Sequence, residues 1–166
     1  VLARVARDGY AILTAIPSCT LMFKQELPLM YPGEADVRAV AEAMFDPFEY
    51  LALRNRDGLL KTDFKQPLGT VSYHIPCHLR VQNMGQKTRE LLQLIPGTTV
   101  NTVERCAGHD GTWGVKSEYF EMSMKIGKPV FKQMAAANPD YVSSDCAIAG
   151  RHICQGMGET QARKQH

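Results

Sequence analysis

Short β-type apolar runs alternate with amphipathic stretches along most of this chain, and breaks rich in glycine or proline separate them. Residues 1–8 read as the end of a helix, Asp8-Gly9 as a turn, and residues 10–16 as a strand built on Ala11 to Ile16. From about Ser18 a helix carries Leu21, Met22, Phe23 and Leu27 until Pro28 and then Pro32-Gly33 stop it. Glu34 opens an amphipathic segment with Val37, Val40, Ala41, Met44 and Phe45 at helical spacing, which continues with a kink at Pro47 to about Leu60. Residues 61–68 are polar and keep neither period, so they mark a boundary.

Beyond that boundary the alternation is regular. A strand at 69–74 precedes a helix near 83–95, which Pro96-Gly97 ends. A strand at 98–104 leads through a loop containing Gly108, Gly111 and Gly114 into a long helix near 114–136, which Gly127-Lys128-Pro129 breaks or bends. Asn138-Pro139-Asp140 turns the chain into a strand at 141–144, and a last helix runs from Cys146 to about Gln155. This order predicts an α/β fold, a parallel β-sheet flanked by helices, with strand–cysteine–helix repeats.

Composition narrows the possible partners. The 166 residues are 45% apolar and 22% charged with a net charge of +2, the profile of a water-exposed globular chain. No block of like charge reads as a nucleic-acid arm, so nucleic acid is not an expected partner. No run reaches the roughly 18 apolar residues of a membrane-spanning helix, which leaves only peripheral or indirect membrane contact. The start, Val-Leu-Ala-Arg-Val-Ala-Arg, lacks a signal-peptide profile, and an odd count of five cysteines argues against a disulfide scaffold. A cytoplasmic location is expected, with the inner face of the cell membrane as a variant. The chain has no initiator methionine and stops at Gln165-His166 without a closing element, as a fragment of a longer polypeptide would.

Four cysteines share one local setting: Cys19, Cys77, Cys106 and Cys146 each come after a β-rich run and a break, and each precedes a helix-forming stretch. In a parallel α/β sheet the carboxyl ends of the strands lie side by side around the ligand crevice, so cysteines remote in sequence converge there. Helix N-termini favour thiolate at such positions. Three thiolates plus one more donor suit zinc or an iron–sulfur centre, although no Cys-x-x-Cys pair is present. Gly108, Gly111 and Gly114 let the backbone approach a cofactor, and His109 is the best non-cysteine donor. Cys154 reads as a packed or surface thiol, His74 as a structural histidine, and Trp113 as a packing anchor. A rival chemistry, a nucleophilic thiol with a histidine base, has its residue types in Cys106 with His109 or Cys77 with His78.

The motif order adds a family resemblance. Tyr73-His74-Ile75-Pro76-Cys77-His78, Arg89-Glu90-Leu91-Leu92 to Ile95-Pro96-Gly97, Cys106 to Gly114, Ser123 to Phe131, and Ser144-Asp145-Cys146 together make residues 71–158 resemble a cysteine-rich CCG domain. The likeness is to such domains in subunits of heterodisulfide reductase and of anaerobic glycerol-3-phosphate dehydrogenase, in the latter to the second of two. Pro17-Ser18-Cys19-Thr20 is similar to the closing motif of a preceding repeat. The resemblance implies a pseudo-duplicated protein: a repeat tail at 1–30, a helical linker at 31–68 and a second CCG domain at 69–166.

It also implies iron–sulfur electron transfer in a multi-subunit oxidoreductase, with flavin or iron–sulfur subunits as partners and the substrate chemistry outside this chain. The family pattern holds its clusters with a cysteine, a Cys-Cys-Gly and a Cys-x-x-Cys. Here Ala107, Ala149 and, upstream, Ile16 stand at three of those cysteine positions. The metal ligands that the resemblance then implies are Cys77, Cys106 and Cys146, with Cys19, His109, substrate or water as a fourth. A 4Fe-4S cluster is the first expectation; zinc, or a metal-free docking repeat, is the alternative, and a thiol/disulfide oxidoreductase is the other.

Overall fold

The computed structural model describes residues 1–158 and is mixed α/β, with two parallel sheets flanked by helices. The larger sheet consists of β3 (Gly69–His74), β4 (Thr98–Val103) and β5 (Tyr141–Ser144) in the order β4-β3-β5. Its register is simple: His74, at the end of the central strand, is level with Val103 on one side and Ser144 on the other. All three strands therefore end on one line, and the chain leaves each of them at the same edge.

Side chains alternate across this sheet. Val103 and Val142 meet Val130, Phe131 and Met134 of helix α8 (Phe120–Ala136) and Ala149 and Ile153 of α9 (Ala147–Met157). Tyr73 and Val100 pack on the other side against Leu79 of α6 (Cys77–Arg80), with Met84 and Leu92 around them. Leu92 comes from α7 (Lys87–Leu92), the shortened form of the helix expected near 83–95. Helix α8 continues without a break through the segment expected to break or bend it. Pro129 removes the hydrogen bond to the Lys125 carbonyl, yet Val130 and Met134, both wholly buried, anchor the second half to the sheet.

The first 56 residues form a separate layer: α1 (Leu2–Arg7), β1 (Ile12–Leu13), α2 (Pro17–Leu21), a π-helical turn (Met22–Glu26), α3 (Leu27–Met30), α4 (Ala35–Ala43), β2 (Met44–Phe45) and α5 (Pro47–Arg56). The strand expected over 10–16 is thus only two residues long. Two further expectations need correcting. Pro28 does not stop the helix; the preceding turn widens to a π-helix, which accommodates the N–H that proline lacks, and the chain stays helical to Met30.

The amphipathic segment 34–60 is likewise not one kinked helix. Met44 and Phe45 leave α4 to pair in parallel with Ile12 and Leu13. The residue before a proline is disfavoured in the helical region, and Asp46 is extended and caps α5, its carboxylate accepting from the Phe48 and Glu49 N–H groups. Met44 sits at apolar spacing because it is buried, with Ala3 and Val40, under this second sheet.

Candidate functional site

Two or three residues beyond the aligned strand ends come the cysteines. Cys77 opens α6, Cys106 lies in the loop after β4, and Cys146 is the N-cap of α9. Together with Pro17, Ser18 and the 106–113 loop they line one cavity of about 430 Å³. Three of the four singled-out thiols thus share a cavity, because parallel strands in register deliver them to one edge. All five cysteines are free, and Cys77 and Cys106 are exposed at this site. Cys19 does not line the cavity; it comes after β1, which belongs to the other sheet, although its neighbours Pro17 and Ser18 do contribute to the wall. Gln82 ties that segment down, its Nε2 donating to the Pro17 and His78 carbonyls at 3.1 and 3.0 Å.

His74 holds the frame beneath two of the thiols. It is buried, its Nε2 lies 2.8 Å from the Arg105 carbonyl, and its Nδ1 lies 3.0 Å from the Ser144 hydroxyl. A carbonyl only accepts, so Nε2 carries the proton and Nδ1 accepts from Ser144. The same hydroxyl oxygen accepts the Cys146 N–H at 3.4 Å. One neutral imidazole thus connects the residue before Cys106 with the backbone of Cys146, and burial, which lowers the pKa of His74, keeps it neutral. On the opposite face of the sheet the Asp145 carboxylate accepts from Tyr73 Oη and, at 3.0 Å, from Thr88 Oγ1. Burial pushes that carboxyl up to about 6, and the two hydroxyls, which favour the ionised form, oppose the rise.

The long helix expected from about 114 begins later, after a 3-10 turn at Ser117–Tyr119, and residues 104–116 stay in the loop. Gly108, Asp110 and Gly111 have positive φ (89°, 37° and 52°), a conformation that stops helix growth. The loop instead presses on α8. A methyl group added at Gly108 would lie 2.9 Å from the Gly127 nitrogen and closer still to the Ser123 carbonyl. Ser123 Oγ donates to the Gly108 carbonyl at 2.8 Å, so the His152 Nε2, 3.1 Å away, donates to that oxygen in turn. The Gly108 N–H points at Cys106 Sγ, 3.4 Å away. Gly114 is not on the wall; its N–H closes the loop back onto the His109 carbonyl at 2.6 Å. Trp113 stacks on Tyr119 with ring centroids 5.3 Å apart and lines the cavity, and Cys154 packs against the α8–α9 core.

The thiol–histidine pairs read from sequence proximity are not the ones formed. His109 Nε2 lies 3.9 Å from Cys146 Sγ, and Cys77 has Arg80 Nη2 at 3.7 Å as its neighbour. Burial lowers the pKa of His109, and the nearby His152 adds to the shift. Ser123 and His152, which position the loop, carried no chemistry in the sequence; a serine and a histidine in two helices give no local sign of meeting. Asp145 sat inside a motif, but its partners at 73 and 88 are brought to it only by packing. Among the described residues, no three His, Cys, Asp or Glu side chains gather closely enough to hold a single metal ion. None of the described helices is long and apolar enough to cross a membrane.

Comparison with known proteins identifies the family of the chain. A subunit of the anaerobic glycerol-3-phosphate dehydrogenase of Escherichia coli is 30% identical over 144 residues, which are 86% of this chain and 35% of the relative. An uncharacterized iron–sulfur protein of Methanocaldococcus jannaschii is 33% identical over 114 residues, 68% of this chain and 22% of its own length. A subunit of the dihydromethanophenazine:CoB–CoM heterodisulfide reductase of Methanosarcina acetivorans is 31% identical over 100 residues, covering 56% and 24%. The chain therefore spans about a third or less of the curated relatives it matches. No solved structure matches it. The model of the cysteine-rich CCG domain matches residues 71–153, the segment that carries all three cavity thiols, and the chain belongs to that family.

Proposed function

We propose that this chain is part of an iron–sulfur electron-transfer subunit of a multi-subunit oxidoreductase, in which Cys77, Cys106 and Cys146 hold the cluster. On this reading residues 1–30 are the tail of one repeat, 31–68 a linker and 69–166 a second repeat. The partners are flavin or iron–sulfur subunits that carry the substrate chemistry, at or near the inner face of the cell membrane. The relatives' names, which include a dehydrogenase subunit, a heterodisulfide reductase subunit and an iron–sulfur protein, support the class.

The observation that carries the reading is the single cavity that the three thiols share. A single zinc ion draws its donors to one point about 2.3 Å from each sulfur, whereas an iron–sulfur cluster spreads its thiolates over several irons. Here three thiols line a cavity of about 430 Å³, room for a group larger than one ion, and on this reading that group is a cluster of 4Fe-4S type. The rest of the wall suits it: the Gly108 N–H faces Cys106 Sγ, and the buried Ala107 and Ala149 keep water from the inner side. When bound, the cluster would accept and pass on single electrons. The chain's own task is to fix three sulfurs, through the strand register and His74.

Anaerobic purification with iron, sulfide and zinc analysis and an EPR spectrum tests this. Iron and sulfide in stoichiometric amounts, with a reducible signal, are expected. Zinc alone, or no metal, would overturn the assignment in favour of a structural docking repeat.

A further inference from the structure

Among the described residues, His109 is the one imidazole whose nitrogen reaches a cavity thiol, and a ligand role is the obvious assignment for it. The geometry of its loop favours a different one. The Gly111 N–H donates to His109 Nδ1 at 3.2 Å. An N–H group has no lone pair, so Nδ1 must be the unprotonated nitrogen of the ring. The one ring proton then sits on Nε2, the atom 3.9 Å from Cys146 Sγ. A nitrogen that carries its proton cannot ligate a metal, but it can donate to sulfur.

Gly111 has φ of +52° and Asp110 +37°, and this is the backbone turn that aims the amide at the ring. Gly114 N–H, bonded to the His109 carbonyl, holds the residue from its other end.

We infer that His109 is a hydrogen-bond donor to the Cys146 thiolate, a positioning and potential-setting residue, and not the fourth ligand of the site. The inference rests on the iron–sulfur reading above for its redox consequence, but the tautomer does not. A donated N–H stabilises the sulfur most when the site is most negative, so it favours the reduced state. With Cys19 outside the cavity wall and His109 assigned as a donor, the protein ligands reduce to the three cavity thiols.

Long-range 1H–15N NMR of the metal-free chain reads the tautomer directly: a proton on Nε2 of His109 is expected, and one on Nδ1 overturns the inference. The second measurement compares His109→Ala and His109→Gln with the wild-type chain after anaerobic reconstitution. Glutamine is chosen because its amide N–H can take the place of Nε2–H.

Full iron and sulfide content in both variants is expected, with the midpoint potential lower in His109→Ala and partly restored in His109→Gln. Loss of iron from both, an unchanged potential in His109→Ala, or no restoration by glutamine overturns the donor role. If the alanine variant does not fold, the tautomer and the iron content of His109→Gln decide. Failure of the wild-type chain to take up iron and sulfide would instead sink the iron–sulfur reading and leave the tautomer result standing.

Discussion

The two sheets of this molecule present the same local motif and reach opposite outcomes. In the β4-β3-β5 sheet, three strands of four to six residues end level, and each releases a cysteine into a shared cavity. In the β1-β2 sheet, two residues from each strand pair, and Cys19 comes after Leu13 without reaching that cavity. What differs is the number of strands that end together. A central strand with a neighbour on each side can gather three chain exits at one edge, whereas a two-stranded ladder has no such centre. The small sheet still contributes, since Pro17 and Ser18 from the helix after β1 close one wall.

The sharpest test of this contrast is a pair of cysteine variants. Cys77→Ser should lose all or nearly all bound iron on anaerobic reconstitution, while Cys19→Ser should retain the wild-type content. Equal behaviour of the two would erase the distinction between the sheets.

Glycine offers a second matched pair. Gly108 and Gly9 have nearly the same φ, 89° and 86°, but an added methyl at Gly9 meets nothing within 4 Å, whereas at Gly108 it meets the backbone of α8. Gly9→Ala should therefore cost only the conformational strain, about 1–2 kcal/mol. Gly108→Ala should cost more than that and also impair metal uptake, because the loop must lift off Ser123 and Gly127. Urea denaturation of both variants, with iron analysis of each, checks this; equal costs would show that the close approach does not matter.

Tyr73→Phe removes one hydroxyl from the Asp145 carboxylate. A loss of about 1–3 kcal/mol is expected from leaving that buried acceptor short of a partner, again by urea denaturation at neutral pH. A neutral result would mean that Thr88 alone satisfies the carboxylate.

The smallest effect belongs to the N-terminal layer. Burial is the main cause of the raised Asp46 pKa, and the Phe48 and Glu49 amides pull the other way. A raised pKa means that the folded chain binds this proton more tightly than the unfolded chain does. The contribution is therefore present below the unfolded value near 3.8 and is lost as pH rises from there through the folded pKa. Asp46→Asn should flatten that slope and leave helix α5 capped, as asparagine is an N-cap residue of similar rank. Stability measured from about pH 3.5 to about pH 7 would show it; an unchanged slope would assign the dependence to another group.

How legible this was depends on the range of the forces involved. The strands at 69–74, 98–103 and 141–144 and the last helix could be read to within a residue or two, because alternation, Pro-Gly stops and Asn-Pro turns are local. The Met44–Phe45 strand could not. Its apolar spacing suits a helix equally well, and only pairing with Ile12 and Leu13 decides between them. The start of α8 was also out of reach, since neither the positive φ at Asp110 nor the closure of Gly114 onto His109 is visible in the residue types.

The sequence by itself determined the strand–cysteine–helix order, the α/β class and the family, all of which depend on period, turn chemistry and motif order along one dimension. The motif order also grouped Cys77, Cys106 and Cys146, whereas which of them His109 faces was decided by tertiary structure alone. His109 sits three residues from Cys106 yet reaches Cys146, because the glycine turn reverses the chain and β5 lies beside β3. Those are consequences of strand register and close helix packing, which no local pattern encodes.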